Sequence, residues 1–300
     1  MVRRSLDDLI FDIINYIILS GVLLIVLYPL YFVVIASFSE PYEVVRGNVI
    51  FIPQGFSLSA YQHVLDNKDI WTGYRNSIFY TVTGTALSLF LTLPSAYVLS
   101  KKQLPGRFLL SWFFLFTMYF GGGLIPTYIL IRSIGLYNKP FTLSVLGAFS
   151  VYNMIITRTY YQTSIPDTIY EAAEIDGAGP IKTFITIALP LSMPIIAVMT
   201  LYYAVAQWNS FFNALVYVAE RNYFPLQIIL RNILISSQNA LSRISESAEE
   251  SEIIAMARLQ YISEAMKYSL IIIASFPLLV SYTFVQKYFI KGVMIGSLKA

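Results

Sequence analysis

Few residues in this 300-residue chain are placed to do chemistry, and most of them fall in one polar island. Glu171, Glu174, Asp176 and Lys182 stand in the stretch 171–190, EAAEIDGAGPIKTFITIALP, between apolar runs long enough to cross a bilayer. Those charges cannot sit in hydrocarbon without a large desolvation cost, so the stretch must be a loop outside the membrane. Gly177-Ala178-Gly179-Pro180-Ile181-Lys182-Thr183 has the outline of a Walker A loop, but that motif needs Gly before Lys, where Ile181 stands. The same glycines open a GxGxxG pattern, yet Lys182 takes the third position and no buried strand precedes it. His63, the only histidine, has no second His or Cys with which to share a metal, which leaves it an ordinary surface or interface role. The absence of cysteine excludes thiolate catalysis, disulfides and thiol metal sites. No acid, His or Cys falls inside the apolar spans, which argues against an intramembrane catalyst and against a proton-coupled carrier.

What remains is a shape suited to docking. Pro166 and Asp167 offer a helix start, with the Asp167 carboxylate as an N-cap, and the residues through Ile175 suit a helix whose early acids complement its dipole. Gly177 and Gly179, followed by Pro180, end it. A second helical run from Ile181 to Leu189 then leads to Pro190.

The elements that position this loop are membrane helices. Apolar residues make up 57% of the chain and charged ones 12%, about half the share usual in soluble domains, with a mean hydropathy of +0.64. The net charge of +3 is too weak a bias to imply nucleic acid. Spans are expected at about 13–37, 76–100, 108–131, 141–160, 193–218 and 268–287, with the polar loop at 161–190 on the cytoplasmic side. A secretory signal peptide is the rival for the first span. Its apolar run is too long, and Asp7, Asp8 and Asp12 spoil a basic n-region. Pro29 inside it reads as a tolerated kink. Lys and Arg divide equally between the two sides, so the positive-inside rule favours cytoplasmic termini only when short loops alone are counted.

Within the third span, Gly121-Gly122-Gly123 and Pro126 admit two readings: an unwound element near a transport path, or tight packing through small residues. Pro190 and Pro194 divide the apolar run from Thr183 to Ala219, so the fifth span begins near Met193. Towards its far end lie Gln207, Trp208, Asn209 and Asn213. On one continuous helix Asn209 and Asn213 would share a face, with Trp208 about 100° away. Amides and an aromatic ring are the groups that bind sugars, so the cluster reads either as a substrate lining or as an aromatic belt residue with interhelical amides. Glu246, Glu249, Glu250 and Glu252 precede Ile254, Ala257, Tyr261 and Ala265 at helical spacing, which predicts an amphipathic surface helix. It either receives a binding protein or is a solvated face.

The spacing Glu171-Ala172-Ala173, three residues, Gly177, nine residues, Ile187, one residue, Leu189-Pro190 resembles the EAA loop of permease subunits of ABC importers. The tail QKYFIKGVMIGSLKA is similar to that of carbohydrate-uptake permeases related to the second maltose permease subunit, in their oligosaccharide branch, and the resemblance covers essentially the whole chain. It implies an all-α integral membrane protein of six transmembrane helices with type I importer architecture, in the cytoplasmic membrane with both termini cytoplasmic. It further implies an oligosaccharide-importing function without enzymatic activity of its own. Its partners would be a second homologous permease, two ATPase subunits, an extracytoplasmic solute-binding protein and membrane lipid, but no nucleic acid. ATP and Mg would sit on the ATPases, with no cofactor on this chain. Glu171, Ala172, Ala173, Asp176, Gly177, Leu189 and Pro190 would couple to the ATPase, and the tail would reach the ATPase dimer. The rival class is a secondary transporter or channel subunit without ATPase partners.

Overall fold

A computed structural model describes residues 6–241, 261–263, 265–283 and 286. The expectations for the acidic cluster at 246–252, for Ile254 and Ala257, and for the tail at 287–300 lie outside these residues. Among the described residues the chain is helical, with one isolated β-bridge between Ser39 and Phe56. The described residues divide into two compact units, those within 1–68 and 230–276, and those within 69–229 and 277–300.

The first unit is built on α1 (Leu6–Ser37), a 32-residue helix that carries Pro29 without interruption. No residue of its apolar window is buried within the chain, as in a surface turned to lipid or to another subunit. Two short helices follow, α2 (Pro41–Val45) and α3 (Ser59–Leu65), and Val44 and Val49 pack with Ile35 and Ala36 at the end of α1.

The second unit is organised on α4 (Lys68–Ser100), which keeps Pro94 inside it and buries a row of polar residues. Their hydroxyls and amides serve backbone groups that lipid could not satisfy. Asn76 Nδ2 donates to the carbonyls of Asn222 at 2.7 Å and Phe224 at 3.0 Å, and the Tyr80 hydroxyl donates to the Tyr223 carbonyl at 2.8 Å. Ser77 Oγ accepts from the Leu226 N–H at 2.9 Å.

The third expected span is two helices, α5 (Arg107–Tyr119) and α6 (Leu124–Ser133), bent by 110° across 120–123. Gly123 takes φ +85°, a conformation only glycine adopts cheaply, and a Cβ at Gly121 or Gly123 would meet no atom within 4 Å. Small-residue packing therefore does not explain the run within this chain; unwinding does. The expected fourth span, 141–160, is not one helix. It consists of α7 (Thr142–Val145) and α8 (Val151–Thr163), separated at Gly147, whose φ is +78°, and restarted at Ser150, whose Oγ accepts from the Asn153 N–H as an N-cap.

After α8 come α9 (Asp167–Ile175), α10 (Pro180–Thr183), a π-helical stretch Phe184–Ala188 and α11 (Leu189–Leu191). The chain then bends by 81° into α12 (Met193–Trp208). The expected fifth span, 193–218, is likewise divided, because α12 stops at Trp208 and α13 spans Phe211–Tyr217. Beyond it are α14 (Leu226–Leu241) and the apolar helix Tyr261–Thr283. The described residues hold three helices long and apolar enough to cross a bilayer, or up to five if each bent pair counts as one span.

Candidate functional site: the loop between α8 and α12

Nine residues of α9 form a helix too short to persist alone in water, so packing must hold it. Ile169 and Tyr170 pack on a cluster that includes Tyr97 and Leu99 from α4, Tyr161 from α8, and Ile165, Phe184 and Ala188, and Ala173, one turn after Ile169, is buried as well. Tyr97 is the hub. Its ring lies 5.7 Å from Tyr161, 6.1 Å from Tyr170 and 4.9 Å from Phe184, so one residue of α4 touches the helix before the loop and both of its arms.

A cation completes the joint. The Lys101 ammonium sits 2.8 Å from the centroid of the Tyr170 ring and 4.6 Å from that of Tyr97. Burial pushes Lys101 down to about 8, while the Asp167 carboxylate pulls the other way. Burial also raises the Tyr170 hydroxyl, with Tyr97 adding to the shift. Lys102 Nζ meets Asp167 Oδ2 at 3.0 Å. This corrects the expected cap: Asp167 is the first residue of α9, Pro166 is the N-cap, and no side chain caps the helix. With a lysine in reach, the carboxylate pairs across to the α4 end instead. Both partners are largely exposed, so the pair contributes little to stability and serves to set position.

The turn after α9 is a Schellman motif. The Gly177 N–H bonds the Glu174 carbonyl at 3.0 Å and the Ala178 N–H bonds the Ala173 carbonyl at 2.9 Å, with Gly177 at φ +73°. The opposite face of α9 is free of this packing. Glu171, Ala172, Glu174 and Asp176 are exposed, and Ile175 and Ile181 stand out at 87% and 76% exposure on either side of the turn. Carboxylates around bare isoleucines make a surface whose chemistry complements an apolar groove with a basic rim, and it carries no set of side chains arranged around a reacting group. Leu189 and Pro190 lie at the other end, where the chain bends into α12.

The second set of sequence-derived residues is not brought together as expected. α12 ends at Trp208, so Asn209 and Asn213 do not share a face of one helix. Asn209 is exposed at the break, where its carbonyl accepts from the Phe211 N–H at 2.7 Å; Asn213 is half-buried on α13. Trp208 is buried, with its ring 6.3 Å from that of Tyr74. Gln207 Nε2 donates to the carbonyl of Leu146 at 3.4 Å, which links the two unwound stretches at 146–150 and at Asn209 and Ser210. Sequence reasoning missed Tyr97, Lys101 and Lys102, although their signal is visible as an aromatic ring one turn before a double lysine at the end of an apolar span.

Replacing Lys101 by Met should loosen α9. Each cation–π contact is worth about 0.5–1 kcal/mol at an exposed site, so amides of Asp167–Ile175 should exchange roughly fivefold faster or more, and Lys101→Arg should restore them. Unchanged exchange in Lys101→Met would show that the ammonium does not hold the helix.

Short helix, glycine-pinned turn and bend into a membrane helix together define a membrane component of a binding-protein-dependent transport system. The chain belongs to the family described as binding-protein-dependent transport system inner membrane component, matched over residues 70–295. It is 37% identical to the polygalacturonan/rhamnogalacturonan transport system permease protein YtcP of Bacillus subtilis (strain 168), over 97% of this chain and 98% of that protein. Protein LplC of the same organism is also 37% identical, over 97% of this chain and 95% of its own length. Among solved structures, a chain of a bacterial ABC transporter involved in the import of the acidic polysaccharide alginate superposes with a TM-score of 0.83. It is 33% identical, covering 96% of this chain and 100% of that one. The all-α fold is thus that of an ABC importer permease, and members of the family are transport permeases rather than enzymes.

Proposed function

We propose that this chain is a permease subunit of an ATP-driven ABC importer whose cargo is an oligosaccharide carrying uronic acids. One observation carries the cargo class: near full-length likeness both to a permease for polygalacturonan and rhamnogalacturonan and to a subunit of an alginate importer. Both polymers are acidic. The importer would comprise this chain, a second homologous permease, two cytoplasmic ATPase subunits that hold ATP and Mg, and an extracytoplasmic solute-binding protein. The chain would lie in the cytoplasmic membrane with six crossings and both termini in the cytoplasm.

Glu171, Ala172, Asp176 and Gly177 would present the docking surface to an ATPase groove, with Ala173 holding it to the core and Leu189 and Pro190 passing its motion into α12. Closure of the ATPases would carry α9 as a rigid lever, and Tyr97 would pass that movement to α4. The two end states must differ in their contacts, or ATP could shift nothing. The unwound stretches at 146–150 and at Asn209 and Ser210 support a path near Trp208, Asn209 and Asn213, because irregular backbone at membrane depth is tolerated where it lines a cavity or is buried in protein.

The purified assembly should show ATPase stimulation by its binding protein loaded with short galacturonate or alginate oligomers, and none with neutral maltooligosaccharides. Stimulation by the neutral sugars alone would overturn the cargo class. Within the path, Asn213→Ala should lower uptake affinity severalfold through lost hydrogen bonds worth about 0.5–1.5 kcal/mol each, with ATPase coupling kept. A lower melting temperature with unchanged affinity would instead make Asn213 a packing residue.

A further inference from the structure

The connection after α1 carries four consecutive apolar residues outside any helix, and they do not all point the same way. Val49 is buried at 3% exposure with Ile35, Ala36 and Val44, whereas Ile50, Phe51 and Ile52 are exposed at 51%, 69% and 63%. The segment is not swung out into solvent. The Tyr28 hydroxyl donates to the Ile50 carbonyl at 3.3 Å, the Tyr31 hydroxyl donates to the Phe51 carbonyl, and the Phe51 ring lies edge-on to that of Tyr28 at 6.0 Å. These contacts lay the segment along the flank of α1.

Depth follows from helix geometry. Tyr28 and Tyr31 are roughly 13 Å and 9 Å below Ser37, the last residue of α1, at 1.5 Å per residue. Both fall inside the charge-free apolar run that ends at Ala36. The connection therefore leaves the helix end, turns, and descends beside it. Phe56 marks the shallower level: it is 76% exposed and stacks on Phe38, just past that end. The polar groups at the turn are already engaged, Glu43 by the Asn48 amide and Arg46 over the Tyr42 ring at 4.2 Å.

We infer that residues 50–52, with Phe56 above them, form an apolar wedge seated in the lipid leaflet that surrounds the C-terminal end of α1. Water is a poor match for three adjacent bare apolar side chains. Another subunit or lipid would cover them equally well as apolar surface, but lipid supplies no hydrogen-bond donors. Irregular backbone does not lie bare in the hydrocarbon core, so the segment's backbone sits at the headgroup boundary with its side chains reaching inward: Tyr28 and Tyr31 take the carbonyls of Ile50 and Phe51, and interfacial water reaches the other backbone groups. The wedge also continues the uncovered surface of α1, and tyrosines and phenylalanines at this level match the aromatic belt of a membrane boundary. Which leaflet this is depends on the topology proposed above; the insertion itself does not.

The chain has no cysteine, so Phe51→Cys is the one site on it for a nitroxide label, in an assembly whose partner subunits have had any cysteines replaced and which is reconstituted into lipid nanodiscs. Power saturation should show the label far more accessible to oxygen than to a water-soluble nickel chelate, like a label at Leu24→Cys on α1 and unlike one at the exposed His63→Cys. Adding Tyr28→Phe and Tyr31→Phe should shift it towards the water-facing control. A nickel response equal to that of His63→Cys would overturn the inference by placing the segment in water. Low accessibility to both reagents would overturn it by placing the segment under another subunit.

Discussion

Gly177→Val should cut uptake at least ~10-fold while the chain still reaches the membrane in its normal amount. Gly177 holds φ +73°, a region that costs an ordinary residue about 1–2 kcal/mol and a β-branched one more. Space is not the difficulty, since a Cβ there would meet no atom within 4 Å. The conformation is, because it lets the Gly177 and Ala178 N–H groups return to the Glu174 and Ala173 carbonyls and so sets the angle between α9 and the arm that bends into α12. A valine would release that turn, re-aim Ile175 and Ile181 together, and reduce uptake at least ~10-fold. Gly177→Asn should fall between the parent and valine, since Asn tolerates this region. Uptake and binding-protein-stimulated ATPase activity, measured against membrane abundance, check the series; normal uptake by Gly177→Val would sink it.

Gly73→Ala should be the most damaging small substitution for stability. Its Cβ would stand 3.0 Å from Leu226 Cα and 3.2 Å from Leu226 N, besides 2.7 Å from Ile229 Cδ1. The isoleucine tip can rotate away, but the backbone at Leu226 is tied down. Ser77 Oγ holds its N–H, and Asn76 holds the carbonyls of Asn222 and Phe224 just before it. Overpacking against a fixed backbone costs about 1–3 kcal/mol, which should lower the melting temperature of the purified assembly by about 3–10 °C. Gly21→Ala, where nothing lies within 4 Å, is the matched control and should leave it unchanged. Equal behaviour of the two variants would show that α4 and the start of α14 are not packed as described.

What was legible in the sequence follows the strength of its backbone signals. Three adjacent glycines remove every Cβ from one turn, and two prolines four residues apart remove two backbone N–H donors. The bends at 120–123 and before Met193 could therefore be anticipated from residue type alone. The interruptions at 146–150 and at Asn209 and Ser210 carry no such signal. A lone Gly147 with Ser150, or an Asn-Ser pair, carries no comparable backbone signal; at the first break Gln207 serves the Leu146 carbonyl, and at the second the Ser210 and Phe211 N–H groups bond back to the Gln207 and Asn209 carbonyls. The loop at 171–190 was recognisable through its fixed spacing, but its attachment was not. Tyr97 and Lys101 lie about seventy residues upstream, and no local pattern brings them beneath Tyr170. For the same reason Asp167 reads as a cap from its own neighbours, while Lys102, which claims it, comes from the turn just past α4. The widened π-helical turn at Phe184–Ala188 precedes Pro190, whose missing N–H and bulky ring disturb the carbonyl four residues back. That consequence shows only once the chain is built.

If this chain works as part of an ATP-driven assembly, it must hold its ATPases through the loop at 171–190. Native mass spectrometry of the complex purified through a tag on this chain alone gives the most direct test. The expected mass is that of one copy of this chain, one second permease and two ATPase subunits, with the ATPases lost selectively in Gly177→Val. A chain that purifies alone or as a homo-oligomer, transports its sugar when reconstituted, and neither binds nor requires an ATPase would contradict it.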